Sequence, residues 1–224
     1  MTDLFLFGVF PYLAVALAAG GVAYRYRVLR HTVTTRSSQL LESRTLYWGS
    51  VPWHGAILVV LLAHLGATLF PGAWARLLGE PARLLALEVS GLALGALAVF
   101  GIAVLAARRL QLGSTTSAMD WAVLALLFLQ AATGLYVAFA LRWGGAWYVQ
   151  TAAPWLASLA TLAPQVDRMA PLPRVVKLHA VNAFLLLALL PPSKLVHLTS
   201  VPIAYLWRAP QRVLWRRAPK VRAE

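Results

Sequence analysis

Five long apolar stretches constrain this chain more than any other feature of its sequence. Each could cross the roughly 30 Å hydrocarbon core of a bilayer as a helix that rises about 1.5 Å per residue. Their predicted bounds are about 4–24, 51–70, 84–107, 121–141 and 175–207. The last stretch contains Pro191 and Pro192, which should break or kink its helix because proline removes a backbone donor and clashes with the preceding turn. Hydrophobic residues make up 60% of the 224 residues, so the sequence predicts an all-α membrane protein with one five-helix domain spanning 1–224.

The basic residues predict how these helices are oriented. Thirteen Lys and Arg fall in the connections after the first and third stretches and in the C-terminal tail, against six in the other connections. The richer side is expected in the cytoplasm, which places the N-terminus outside and the C-terminus inside a cytoplasmic (inner) membrane. Asp3 stands where a signal peptide would have basic residues, so the first stretch is predicted to be a retained transmembrane helix.

Charge and cysteine content exclude several functions. The formal net charge of +13 would suggest nucleic acid in a soluble protein, but here the basic residues flank apolar stretches, where they face anionic lipid. We therefore expect membrane lipid, and no nucleic acid, as a partner. The chain has no Cys, which excludes disulfides, iron–sulfur ligation and thiol catalysis and leaves histidine as the strongest metal ligand.

Four of the five histidines lie in the second and fifth stretches, and His31 in the first loop is assigned no role. His54 and His64 are separated by about 15 Å along an ideal helix, whereas His179 and His197 are separated by about 27 Å and five full turns. Helix tilt, the proline kink and side-chain reach must absorb this difference. Because the two stretches run antiparallel, the predicted pairs are His54 with His197 near the inner face and His64 with His179 near the outer face. Two pairs at two depths suit two six-coordinate haems that transfer electrons.

Other functions remain open for these histidines. An intramembrane histidine is often a hydrogen-bonding or proton-relay residue, so a proton-relay transporter or channel is one alternative and a membrane anchor without a cofactor is another. A transporter would usually show repeated halves with broken helices, and a transition-metal site would usually place carboxylates beside the histidines. Neither pattern occurs in this sequence.

Several short motifs carry a resemblance to a known family. They are Trp53-His54-Gly55, Leu62-Ala63-His64, Val176-Lys177-Leu178-His179, Pro192-Ser193-Lys194-Leu195-Val196-His197, Ser200-Val201-Pro202, Tyr205-Leu206, Ser37-Ser38-Gln39, Leu41-Glu42, Arg108-Arg109-Leu110 and Thr115-Thr116. In their order and spacing the chain resembles, over nearly its whole length, the cytochrome b (gamma) subunit of membrane-bound respiratory nitrate reductase. Related subunits serve sulfite-reduction and heterodisulfide complexes, which is the alternative within this resemblance.

The resemblance implies a quinol-oxidising subunit with two haem b groups and no terminal reductase centre of its own. Quinol would bind near the outer haem, and electrons would cross to a cytoplasmic iron–sulfur subunit and then to a molybdenum catalytic subunit that reduces nitrate. Arg83 matches a basic residue that the family places at its quinol site. Arginine cannot give up its proton, so its expected role is a hydrogen bond to quinol or to a haem propionate, and an interfacial anchor is the alternative. Glu88 is expected either to accept a quinol proton or to stabilise a helix N-terminus.

Some further side chains are predicted to support the bundle. Gln130 and Asn182 should form interhelical hydrogen bonds, and Gly91 and Gly95 should permit close approach of a helix or a flat macrocycle. Arg108 and Arg109 could pair with inner haem propionates or serve as anchors. The connection 144–173 could lie along the membrane surface, with an interfacial belt formed by Trp143, Trp147, Tyr148 and Trp155.

Overall fold

The computed structural model describes residues 1–29, 44–112 and 117–199, and over these ranges the chain is helical and has no strand. Helix α1 (Thr2–Leu4), a π-helical segment (Phe5–Val9) and α2 (Phe10–Arg27) follow one another without a break. The other helices are α3 (Arg44–Leu69), α4 (Pro71–Leu77), α5 (Pro81–Leu112), α6 (Ala118–Ala140), α7 (Gly144–Tyr148), α8 (Ala152–Ala160) and α9 (Arg174–Ala188), with 3-10 segments at Val166–Arg168 and Lys194–Thr199. The described ranges do not include His31, the motif residues 37–42 and 115–116, or residues 200–224 of the last predicted helix and the tail.

Four helical segments are long and apolar enough to cross a membrane: Thr2–Arg27, Arg44–Leu69, Pro81–Gln111 and Ala118–Ala140. They correspond to the first four predicted stretches, each a few residues longer than expected. Many of their leucines are exposed on the bundle surface, such as Leu61 and Leu62 on α3. Lipid, and not water, suits such a surface, so the chain is a multi-pass membrane protein.

The fifth predicted helix differs from expectation. Its α-helical part, α9, ends at Ala188, a length of about 22 Å at the usual rise per residue. Turns containing Pro191 and Pro192 follow, and the chain then forms the 3-10 segment Lys194–Thr199. The prolines cannot supply the N–H groups that an α-helix needs, so the predicted kink is a complete break. A fifth full span is therefore not confirmed over the described part of the chain.

The long helices pack in the order α3, α5, α6, α9 and α2, with the largest interface between α3 and α5. A Cβ added to Gly101 on α5 would lie only 2.8 Å from the carbonyl oxygen of Gly49 on α3. Small residues at this crossing let the two backbones touch, as is common between membrane helices. In this order α3 and α9 are not neighbours, because α5 and α6 stand between them.

The bundle has two ends, which we name by one residue each. The Glu88 end holds the last turn of α3, the first turns of α5 and α9, and the last turn of α6. The Arg108 end holds the last turns of α2 and α5, the first turn of α6 and the break after α9. Ion pairs close both ends, since Lys177 meets Asp3 at 2.8 Å and Lys194 meets Asp120 at 2.7 Å.

The connection 144–173 folds onto the Glu88 end. Its helix α8 places Trp155 in a core with Phe7 and Met169, and the Trp155 side chain is only 2% exposed. The indole Nε1 donates to the Phe7 carbonyl oxygen at 2.9 Å, inside the π-helical segment. The prediction that Trp155 belongs to an interfacial belt is therefore wrong. Residue type alone does not distinguish an indole at the membrane–water interface from a buried indole whose N–H donates to a backbone carbonyl.

Candidate functional site

The structure brings His54 on α3 and His197 of the 3-10 segment together at the Arg108 end. Their ring centroids are 6.3 Å apart, and the ring planes are inclined by 68°. Two imidazoles on opposite sides of one metal ion, each with a metal–nitrogen bond of about 2.0–2.1 Å, would place their centroids about 6.3 Å apart. The separation of this pair would therefore admit one metal ion held by both residues.

Hydrogen bonds to backbone carbonyls determine which ring nitrogen carries the proton in three of the histidines. The Nδ1 atom of His54 lies 2.8 Å from the Ser50 oxygen, that of His64 lies 2.8 Å from the Val60 oxygen, and that of His197 lies 2.6 Å from the Lys194 oxygen. A carbonyl oxygen only accepts hydrogen bonds, so each Nδ1 carries the proton. The Nε2 lone pair is then the one that can bind a metal, which is the usual arrangement of metal-ligating histidines.

His179 reaches the same tautomer through side chains of α6. The Oε1 atom of Gln130 accepts from the Asn182 amide, so the Gln130 amide nitrogen donates to His179 Nε2 at 3.0 Å. The Nδ1 of His179 therefore carries the proton and donates to the Thr133 hydroxyl at 3.0 Å. The predicted interhelical bonds of Gln130 and Asn182 are confirmed. In this arrangement His179 is turned towards α6, and its Nε2 would be available to a metal only without the hydrogen bond from Gln130.

The break after α9 is held in place by the first and fourth long helices. The Arg25 guanidinium donates to the Pro191 oxygen at 2.5 Å and to the Ser193 oxygen at 3.0 Å, and a Cβ on Gly21 would lie 2.6 Å from Pro191. Lys194 is tied to α6 through Asp120. These contacts place the His197 segment beside α3, so the unequal histidine spacings need not match on straight rods. Sequence reasoning counted Arg25 only as a loop charge and missed this role.

Helix α7 closes the Glu88 end beside His64. The ring of Tyr148 meets the His64 imidazole edge to face, with the centroids 5.4 Å apart. The Thr68 hydroxyl donates to the His64 carbonyl oxygen at 2.8 Å, which uses its only proton. The Tyr148 hydroxyl, 2.8 Å from the Thr68 oxygen, must then be the donor.

The two residues predicted for a quinol site have different surroundings. Glu88 accepts a hydrogen bond from the Gly145 amide at 2.9 Å, so it stabilises the start of α7 and not that of its own helix. Arg83 pairs with Glu80 at 2.7 Å and donates to the Leu77 oxygen at 2.7 Å. The Arg83 side chain is half exposed, so it could turn towards a ligand at this end. The structure does not bring Arg83 and Glu88 into contact with each other.

Three glycines near the predicted site differ in how much free space surrounds them. A Cβ on Gly95 would meet Leu135 of α6 at 3.2 Å, whereas one on Gly91 or on Gly55 would meet nothing within 4 Å. Gly95 therefore serves helix packing, and Gly55 leaves open space next to His54.

The Arg108 side chain is only 2% exposed, in contrast to the anchoring role considered for it. Within the described ranges, no group of three or more His, Asp or Glu residues is gathered around a metal-sized space.

Comparison with known proteins gives one consistent family. Residues 3–216 match the family model described as nitrate reductase gamma subunit. The chain is 31% identical over 215 residues to the nitrate reductase gamma chain of Bacillus subtilis (strain 168), covering 93% of this chain and 96% of that one. It is 30% identical over 223 residues to the respiratory nitrate reductase 1 gamma chain of Escherichia coli (strain K12), covering 94% and 96%.

A further relative is a larger protein. The chain is 34% identical over 208 residues to the nitrate reductase-like protein NarX of Mycobacterium tuberculosis (strain CDC 1551 / Oshkosh). The match covers 89% of this chain but only 32% of NarX, so the shared part is about one third of that protein.

Proposed function

The chain belongs to the nitrate reductase gamma subunit family, and from this premise we propose that it is a dihaem cytochrome b that oxidises quinol and passes electrons to a cytoplasmic nitrate reductase. One observation carries the proposal. All four of these histidines carry their proton on Nδ1 and have a lone pair on Nε2, and the rings of one pair lie 6.3 Å apart, a distance that would admit one metal ion between them.

The histidine pairs would each hold one haem b. His54 and His197 would be the axial ligands at the Arg108 end, and His64 and His179 those at the Glu88 end. The haems would supply one-electron carriers at two depths of the bilayer. The protein supplies the tautomers, the open space beside Gly55 and, at the Glu88 end, an imidazole that exchanges Gln130 for iron.

The proposed direction runs from the Glu88 end to the Arg108 end. Quinol binds at the Glu88 end, with Arg83 as a hydrogen-bond donor and Glu88 as a candidate proton acceptor, and its two protons leave on the outer side. Its two electrons leave at the Arg108 end to an iron–sulfur subunit and then to a molybdenum subunit that reduces nitrate. The sequence has thirteen Lys and Arg in the connections after the first and third apolar stretches and in the C-terminal tail, against six in the other connections, and this excess supports a cytoplasmic position for the end where α2 ends and α3 begins.

Haem content tests the first part of the proposal. Pyridine haemochrome analysis of the purified chain should give two non-covalent b haems per polypeptide, because covalent attachment needs Cys and the chain has none. One haem or none would contradict it. A proton-relay transporter or a cofactor-free anchor would give a reduced-minus-oxidised spectrum without haem bands.

Charge movement tests the direction. Moving one elementary charge across the membrane changes its free energy by about 2.3 kcal/mol per 100 mV of membrane potential. Electrons that cross inwards while protons stay outside must therefore generate a membrane potential. In liposomes that carry the whole complex, a potential-sensitive dye should report the acceptor side as negative during turnover. Electroneutral turnover by a complex that contains both haems would mean that quinol is oxidised at the Arg108 end.

A further inference from the structure

Helix α7 links two long helices of the bundle across the Glu88 end. Glu88 on α5 accepts from the Gly145 amide at 2.9 Å, which ties down the first turn of α7. Tyr148, at the last turn, donates to Thr68 on α3 at 2.8 Å. The helix is thus fixed at both ends, to two different long helices, and we call residues 144–148 the α7 strap.

The strap acts on one histidine in two ways. The Tyr148 ring edge packs against the His64 imidazole, with the centroids 5.4 Å apart. Its hydroxyl also bonds to Thr68, whose own proton is donated to the His64 carbonyl oxygen. One tyrosine therefore contacts the ring of His64 directly and reaches its backbone through Thr68.

We propose that Tyr148 is the positioning residue for His64, and that the α7 strap sets the environment of the haem at the Glu88 end. This inference rests on the proposed function, because it concerns a ligand of the proposed haem. His54 has no tyrosine among its described contacts: its ring neighbour is His197, and its Nδ1 is held by the Ser50 carbonyl and hydroxyl of its own helix. The strap would therefore affect one haem and leave the other unchanged.

The direction of the effect follows from electrostatics. Oxidised haem with two neutral imidazole ligands carries one more positive charge than reduced haem, and water stabilises that charge. Loosening the strap would admit water next to His64. Water would stabilise the oxidised haem relative to the reduced haem, so the midpoint potential would fall. A tenfold change in the relative stability of the two forms is a shift of about 59 mV for a one-electron couple.

The test is a redox titration of the whole complex, with electron paramagnetic resonance to separate the two haems. Tyr148→Phe keeps the ring and removes the donor, and Thr68→Val removes the acceptor. Both should lower the potential of the His64 haem, by up to the tenfold equivalent of about 59 mV, without shifting the His54 haem. Thr68→Val removes the bond to Tyr148 and also the one to the His64 carbonyl oxygen, so the double variant should shift the potential no further than Thr68→Val alone. Tyr136→Phe, which alters an exposed tyrosine on α6, is the control and should shift neither haem.

Glu88 variants test the other end of the strap. Glu88→Gln and Glu88→Ala remove the same negative charge, but only Gln keeps an oxygen that accepts from Gly145, so the potential of the His64 haem should be lower in Glu88→Ala than in Glu88→Gln. Unchanged potentials in Tyr148→Phe and Thr68→Val and equal potentials in the two Glu88 variants, with both haems present, would overturn the role of Tyr148 and leave the proposed function standing. Absence of haem from the unaltered complex would overturn the proposed function and this role together.

Discussion

The two histidine pairs are held by different kinds of neighbours. At the Arg108 end, backbone carbonyls of the local segments orient both rings, and the rings already face each other at 6.3 Å. At the Glu88 end, one ring is held by a backbone carbonyl and by Tyr148, and the other by Gln130 and Thr133 of α6, with Asn182 of α9 behind Gln130. Under the proposed function the first pair would hold a haem with its present hydrogen bonds, whereas His179 would have to release Gln130.

This difference indicates which parts of the chain control each site. Backbone carbonyls cannot be removed by substitution, so the Arg108-end pair depends mainly on the placement of the broken segment after α9. The Glu88-end pair depends on side chains that can be changed one at a time. We therefore expect long-range anchors to matter at the first site and hydrogen-bonding neighbours to matter at the second.

The largest expected effect is the loss of a whole haem from single histidine variants. His197→Ala should remove the Arg108-end haem and leave the other, while His179→Ala should do the reverse, because each takes away one of two axial ligands. Haemochrome analysis should give one haem per chain for either variant, with different electron paramagnetic resonance signals for the haem that remains. Identical residual signals would show that the two residues share one haem.

Arg25→Ala should weaken the Arg108-end site from a distance. It removes two hydrogen bonds from a charged donor to the Pro191 and Ser193 carbonyls, each worth about 1.5–3 kcal/mol. The His197 segment should then be less well placed, and occupancy of the haem at that end should fall while the other stays full. Arg27→Ala removes an exposed arginine from the same end of α2 and serves as the control. Equal haem content in both variants would contradict the role of Arg25.

The neighbours of His179 should have opposite effects. Gln130 competes with iron for Nε2, so Gln130→Leu should speed haem loading at the Glu88 end. Thr133 supports the ligand by accepting its Nδ1 proton, and loss of such a partner typically costs about 10–100-fold in metal affinity. Thr133→Val should therefore weaken the same haem, as measured by haem titration of apoprotein. A change of the same sign in both variants would show that His179 does not exchange partners.

The smallest effect is expected from pH. Burial raises the pKa of the Tyr148 phenol above its usual value of 10.0. Because the folded-state pKa is raised, the stability contributed by the neutral phenol is complete below pH 10.0 and is lost as pH rises through the raised value. Ultraviolet absorbance should show one tyrosine that ionises late, and this step should be missing in Tyr148→Phe. An unchanged titration curve in that variant would assign the late step to another tyrosine.

The sequence predicted much of the fold because apolar length is a direct requirement of the bilayer. The first four helices and the polar contacts of Gln130 and Asn182 follow from residue type and position alone. The sequence predicted that Pro191 and Pro192 break or kink the helix and help to absorb the unequal histidine spacings, but not that the α-helix ends there and a 3-10 segment carries His197. Helical periodicity cannot apply across a segment that is no longer α-helical, so the angular argument for His179 and His197 fails there.

The neighbours of the site were harder to predict than its histidines. Histidine is rare and costly in hydrocarbon, which makes each one conspicuous in the sequence. Arg25 and Tyr148 have ordinary residue types for their positions near a membrane surface. Their roles depend on contacts across 166 and 80 residues of chain, respectively, and no local pattern encodes such contacts.

The pairing of the histidines is tested most directly by haem content in two double variants. His64→Ala/His179→Ala removes both ligands of one proposed haem, so it should retain one haem per chain. His64→Ala/His197→Ala removes one ligand from each, so it should retain none. The reverse result, with no haem in the first variant and one haem in the second, would contradict the pairing on which the account depends.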